Sequence, residues 1–207
     1  MAFPSTARWC AAKGRPSMGE RVTTLSDCRK YRYTLWRDWP MSDGEERQGF
    51  DRERAYAMFI GLNPSTADEV EDDPTIRRCI GFAKSWGYGA LCMTNLFAFR
   101  ATNPKELYRN SNVVGAENDE WIKRCAKGAC VVVAAWGKDG DHLYRDQDVP
   151  YMLAQLEGFP SERFKCFGRN KDGSPKHPLY LAKTTPLIPF WQMCGPRRRR
   201  RRERNED

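Results

Sequence analysis

The sequence predicts an α/β domain of three layers, with helices on both faces of a mainly parallel, four-stranded central sheet. Three observations predict it. Apolar runs of strand length recur at 55–62, 90–97, 129–136 and 163–168. Between them lie helix-patterned stretches rather than tight turns, the spacing of β-α-β units. The run from Ala129 to Trp136 is apolar without alternation, as a strand covered on both faces requires.

Each element follows from local chemistry. Tyr31 to Trp36 alternates polar and apolar residues and reads as an edge strand, and 41–49 is a polar, acidic turn. The core then opens with the strand 55–62. Asp73-Pro74-Thr75 is a helix start, because Asp caps free amides and Pro is tolerated in the first turn; that helix runs to about Trp86 and stops at Gly87. The second strand, 90–97, leads to Asn103-Pro104, where a short helix begins, and 116–125 is a further helix. Gly137 ends the strand 129–136. A helix over roughly 149–156 leads to the strand 163–168 and then to a loop with one of the two histidines, His177.

At 207 residues the chain holds one well-buried domain. Residues 1–25 read as a disordered N-terminal extension, 26–191 as the domain, and 192–207 as a disordered arginine-rich tail. The hydrophobic fraction of 40% is globular, and no apolar stretch approaches the roughly 20 residues of a membrane helix. The net charge is +8, and about half of the excess sits in the tail. The eight cysteines show neither CxxC nor a repeated spacing, which excludes zinc ribbons and disulfide frameworks and points to a reducing cytoplasm. No metal site is expected: Asp68, Asp72 and Asp73 are close in sequence, but Asp73 is taken up as a cap and the others read as a solvated loop.

Two short segments carry the chemistry. Gly61-Leu62-Asn63-Pro64-Ser65 follows the first core strand, and His177-Pro178-Leu179-Tyr180-Leu181 follows the last. In an open α/β sheet such loops converge on one crevice at the carboxyl ends of the strands. A third segment, Thr94-Asn95-Leu96-Phe97-Ala98-Phe99-Arg100, ends the second strand. Singly, Asn63-Pro64 also reads as a turn initiator, Asn95 as a strand-end cap and His177 as a histidine satisfied at a turn.

In this order, over roughly residues 55–182, the segments resemble the uracil-DNA glycosylase superfamily. The first loop is similar to the Asn-Pro loop of its mismatch-specific branch; the Asn95 segment, the strand 131–137 and the His-Pro loop resemble its iron-sulfur branch. Phe99 stands where that branch has a cluster cysteine, so no cofactor is expected. From about Cys28 to Phe190 the chain also resembles an uncharacterised domain-of-unknown-function family marked by Leu-Asn-Pro-Ser-Thr-Ala-Asp.

The resemblance implies a uracil-DNA glycosylase-like fold and a DNA partner, with base excision from a modified or mismatched pyrimidine. It implies Asn63 holding the attacking water and His177 donating to the base as the catalytic pair, and Asn95 reading the pairing edge. Gly61, Leu62, Pro64, Ser65, Phe97, Pro178 and Tyr180 would complete the substrate site. Arg77, Arg78 and Arg100 near the crevice, and Arg197, Arg198, Arg199 and Arg200 in the tail, are candidate phosphate contacts. Two other readings stay open: a pyrimidine or nucleotide reader that does not cleave, and an enzyme of DNA base hypermodification.

Overall fold

The computed structural model describes residues 21–40, 55–65, 67 and 70–191. Seven strands form one mixed sheet in the order β1-β2-β4-β3-β5-β6-β7. They are β1 (Arg21–Leu25), β2 (Arg32–Asp38), β3 (Tyr56–Gly61), β4 (Ala90–Asn95), β5 (Val131–Ala134), β6 (Phe164–Cys166) and β7 (Ile188–Pro189). The α-helices among the described residues are α1 (Pro74–Ser85), α2 (Asn118–Gly128) and α3 (Arg145–Ala154).

The expected four-stranded sheet is corrected on this point. β4, β3, β5 and β6 are mutually parallel, and antiparallel strands extend the sheet on both sides. The segment expected at the edge, β2, lies inside, hydrogen-bonded to β1 and to β4. Its buried arginines are engaged from outside the strand: Arg37 pairs with Asp72 at 2.7 Å and Arg32 donates through Nη1 to the Ala67 carbonyl at 2.6 Å. The true edge is β1, assigned by composition to the N-terminal extension. Arg21–Leu25 instead joins β2 through the turn 26–31, and Arg21 reaches the same Asp72 at 2.9 Å. The rest of that extension and the tail 192–207 lie outside the described residues, as does Asp68.

Side chains alternate along the strands and build a core on each face. On one face Ala57, Phe59, Leu91, Met93, Val131 and Val133 pack against Ile76, Cys79, Phe82 and Ala83 of α1. On the other, Met58, Ile60, Cys92, Val132 and Ala134 pack against Ile122, Cys125 and Ala126 of α2 and Val149 and Leu153 of α3. Two such cores on one sheet make three layers.

α1 begins as its sequence implies: the Asp73 carboxylate accepts from the Ile76 N–H at 2.8 Å, and Pro74 opens the first turn. It ends at Gly87, whose φ of 78° is left-handed. Gly81, in the exposed middle of this helix, has nothing within 4 Å of where a Cβ would sit. Gly81→Ala is therefore expected to raise stability by about 0.5–1 kcal/mol through the lost backbone freedom of the unfolded chain, read as a higher urea midpoint at unchanged slope. No helix among the described residues is long and apolar enough to cross a membrane.

Candidate functional site

The carboxyl ends of β4, β3 and β5 lie side by side. Gly61 is in register with Asn95, Ile60 with Ala134, and the Ala135 N–H donates to the Ile60 carbonyl at 2.9 Å. The loops that leave these ends are held together by backbone hydrogen bonds. Leu96 donates to Gly61, Phe97 to Leu62 and Ala101 to Pro64, each at 2.9 Å.

Asn95 is the most constrained of the candidates. It is 3% exposed, and its Oδ1 sits where a side chain at position 61 would project, 2.7 Å from the place of a Cβ. Gly61 is thus the space that admits the Asn95 carboxamide. The Asn95 backbone carbonyl accepts from the fully buried Asn118 amide at 3.0 Å. Among the described residues its side-chain Nδ2 has no hydrogen-bond partner. A buried donor left unpaired costs about 1–3 kcal/mol, so a ligand acceptor that reaches it binds with a corresponding advantage.

His177 stands at the end of β5, one strand beyond β3 from Asn95. Its Cβ is 3.2 Å from where a Cβ on Gly137 would be, so the left-handed glycine after β5 (φ 69°) lets the histidine loop close over it. The Nδ1 of His177 accepts from the Leu179 N–H at 3.3 Å and caps the 3-10 turn Pro178–Tyr180. With Nδ1 accepting, the neutral ring carries its proton on Nε2 and offers a donor there. Burial pushes the imidazole below its ordinary value of 6.5, and the nearby Asp73 carboxylate opposes this more weakly. That turn packs against α1, and Arg78 ties the two by donating to the Leu181 carbonyl.

A folded pKa below the unfolded one means that acid favours the unfolded chain. The neutral His177 contributes stability that is fully present above about pH 6.5 and lost as pH falls below it toward the depressed folded value. His177→Asn keeps a cap acceptor for Leu179 and removes the titration. Wild type is therefore expected to lose more thermal stability than His177→Asn between pH 7 and pH 5.

The other candidates separate. Asn63 spends its Nδ2 on the chain, donating to Ala101 O at 2.7 Å and Pro64 O at 3.0 Å. It locks the loop, and the Oδ1 is the part of the amide not spent in these two bonds. Gly61, Pro64 and Pro178 are buried framework; Leu62, half-buried, packs against the core on the α2–α3 face, and Ser65 is half-buried. Phe97 is withdrawn from the substrate site, because its ring is fully buried in the α2–α3 core and lies 5.5 Å from that of His142. Tyr180, 88% exposed, stands free beside the histidine. The three basic residues near the crevice hold the protein itself: Arg77 donates to Asp72 O, Arg78 to Leu181 O and Arg100 to Arg29 O. Arg197, Arg198, Arg199 and Arg200 lie outside the described residues.

Sequence reasoning missed the supports of this arrangement. Asn118 holds the end of β4 and Gly137 seats His177, yet one reads as an ordinary helix residue and the other as a strand stop. Asp73 has a recognisable signal as a cap, but its charge also reaches His177. Among the described residues no group of three His, Cys, Asp or Glu could hold a metal ion.

Residues 32–179, from β2 through the histidine turn, match the model of a family described as a protein of unknown function (DUF1643). No curated protein and no solved structure gives a match.

Proposed function

Because the chain belongs to the DUF1643 family, whose function is unknown, the activity has to be argued from the site, and we propose that the crevice receives a pyrimidine extruded from DNA and cleaves its N-glycosidic bond. The observation that supports this reading is the buried Nδ2 of Asn95, unpartnered among the described residues, at the end of β4, with the neutral His177 donor at the end of β5, on the other side of β3. A carboxamide presents donor and acceptor together, which suits the pairing edge of a base that has left the stack.

In the reaction, the bond from the sugar carbon to the base nitrogen breaks and its electron pair leaves with the base. The His177 Nε2–H donates to the base oxygen on which that charge grows. Water forms the new bond to the sugar carbon, and the proton it releases goes through solvent to the departed base anion. Asn63, its Nδ2 fixed on Ala101, turns its Oδ1 to that water. The arginine tail would add sequence-independent phosphate contacts, consistent with the net charge of +8.

One observation favours a second reading. The Asn63 amide is already engaged in the chain, and an amide is no general base. A pocket built this way also suits a protein that binds the base without cleaving it.

The test is a screen of single and double strands carrying uracil and varied modified or mismatched pyrimidines, scored both for abasic product and for binding. Excision predicts product for at least one base, lowered about 100-fold by His177→Ala, as for loss of one donor to a developing anion. Base-selective binding that depends on Asn95, with no product from any strand, supports the second reading. Absence of both removes both.

A further inference from the structure

Among the described residues the two faces of the sheet are unequally covered. α2 and α3 share one face, while on the other α1 packs over β3 and β4, and Leu181 and Leu187 pack against the same core. At the amino edge of this second face lies a cleft of about 350 Å³. Its walls are Trp86 and Tyr88, just past the end of α1, with Val131 and Leu187; Arg163 and Lys165 bring cations from the start of β6. One carboxylate, the exposed Glu162, stands at its rim.

Two features of this cleft are poorly explained by folding alone. Lys165 sits in mid-strand between the buried Phe164 and Cys166, is itself half-buried, and has no hydrogen-bond or ion-pair partner among the described residues. A half-buried cation that no described carboxylate pairs is one that an anionic ligand can engage. Arg163 spends only Nη1, on Ala129 O at 3.3 Å, and keeps its remaining donors. The aromatic wall is rigidly backed: the Trp86 indole stacks on Phe59 at 5.8 Å and 11°, and on Phe82 at 5.6 Å. A planar ring can therefore lie against Trp86 and Tyr88 with little reordering of the protein.

We propose that this cleft binds a nucleoside 5′-monophosphate, its base against Trp86 and Tyr88 and its phosphate toward Lys165 and Arg163. The volume is that of a small-molecule site. Two cations match the phosphate dianion better than a single carboxylate. The site is distinct from the crevice: Val131 and Gly137 are separated by about 20 Å of extended chain, so the inference does not rest on base excision. The apolar walls hold a base by stacking, which every base supports, and adenosine monophosphate, with the larger ring, is expected to bind more tightly than uridine monophosphate.

The experiment is titration calorimetry of adenosine 5′-monophosphate into the full-length chain at low salt. Saturable binding is expected, with adenosine and ribose 5-phosphate each at least tenfold weaker. Lys165→Gln should weaken binding about tenfold, the worth of one charge-assisted hydrogen bond, while Lys165→Arg retains most of it. Since Trp86 is built into the core, its role is read from the ribose phosphate arm rather than by substitution. His177→Ala should leave the affinity unchanged. Absence of saturable binding, equal affinity for ribose 5-phosphate, insensitivity to Lys165→Gln in a variant that melts like wild type, or loss of binding in His177→Ala would each overturn the proposal, the last by placing the nucleotide in the crevice.

Discussion

Gly61→Ala is expected to cost roughly 3 kcal/mol, the upper end of overpacking a buried site, and to displace the Asn95 carboxamide. The added methyl would lie 2.7 Å from Asn95 Oδ1 and 3.6 Å from Met93 Sδ. A long surface side chain would swing aside, but Asn95 is short, 3% exposed and anchored through its backbone to Asn118. The strain therefore passes into β4. Urea unfolding measures the loss, and a double-mutant cycle assigns it. In an Asn95→Ala background the same glycine substitution should cost less than about 1 kcal/mol, because the obstructing oxygen is gone. Equal costs in both backgrounds would show that Gly61 is needed for its backbone and not for the space it leaves.

Asn118→Leu is expected to destabilise by about 3 kcal/mol. The amide is fully buried and donates to two carbonyls, Asn95 O at 3.0 Å and Leu96 O at 3.1 Å. Leucine fills a similar volume and supplies no donor, so each carbonyl loses a bond at about 1–3 kcal/mol when left unsatisfied. The loss is softened at Leu96, whose oxygen keeps the Arg145 Nε at 3.1 Å. Asn118→Asp should fare no better despite its identical shape, since it sets lone pairs against lone pairs. Amide hydrogen exchange gives a local readout: the end of β4 should open before the centre of the sheet.

The apolar strands were legible because burial on both faces leaves no room for polar residues, as in Met58-Phe59-Ile60 and Val131-Val132-Val133. The outer strands were not. β1 bonds to one neighbour and alternates only weakly, and β7 is two residues with a proline. The inner place of β2 is hidden because Arg32, Thr34 and Arg37 look like a solvated side, whereas the distant Asp72 and Ala67 carbonyl engage the two arginines and Thr24 across the hairpin engages Thr34. At the site, strand ends and a cap motif marked Asn95 and Asp73. The seating of His177 against Gly137 depends on packing across 40 positions, which no local pattern records. Nor does sequence show that the Asn63 amide is spent on Ala101 or that Phe97 turns inward.

The position of β2 within the sheet has a consequence for how the chain reaches its folded state. The β1–β2 hairpin is local, closed by the turn 26–31, and hairpins of this kind form in about 1–10 μs. Its partner on the other side is β4, with Asp38 opposite Ala90 and Leu35 opposite Met93. On the ribosome, at roughly 5–20 residues per second, the hairpin waits several seconds for that strand to emerge. Until then it presents an open row of amides and carbonyls with Leu35 and Trp36 on its two faces, a template for pairing with another nascent chain. Synthesis speed and chaperone supply should therefore govern the yield of folded protein more strongly than equilibrium stability does, and slower translation through residues 39–95 should raise aggregation without changing the melting temperature of what folds.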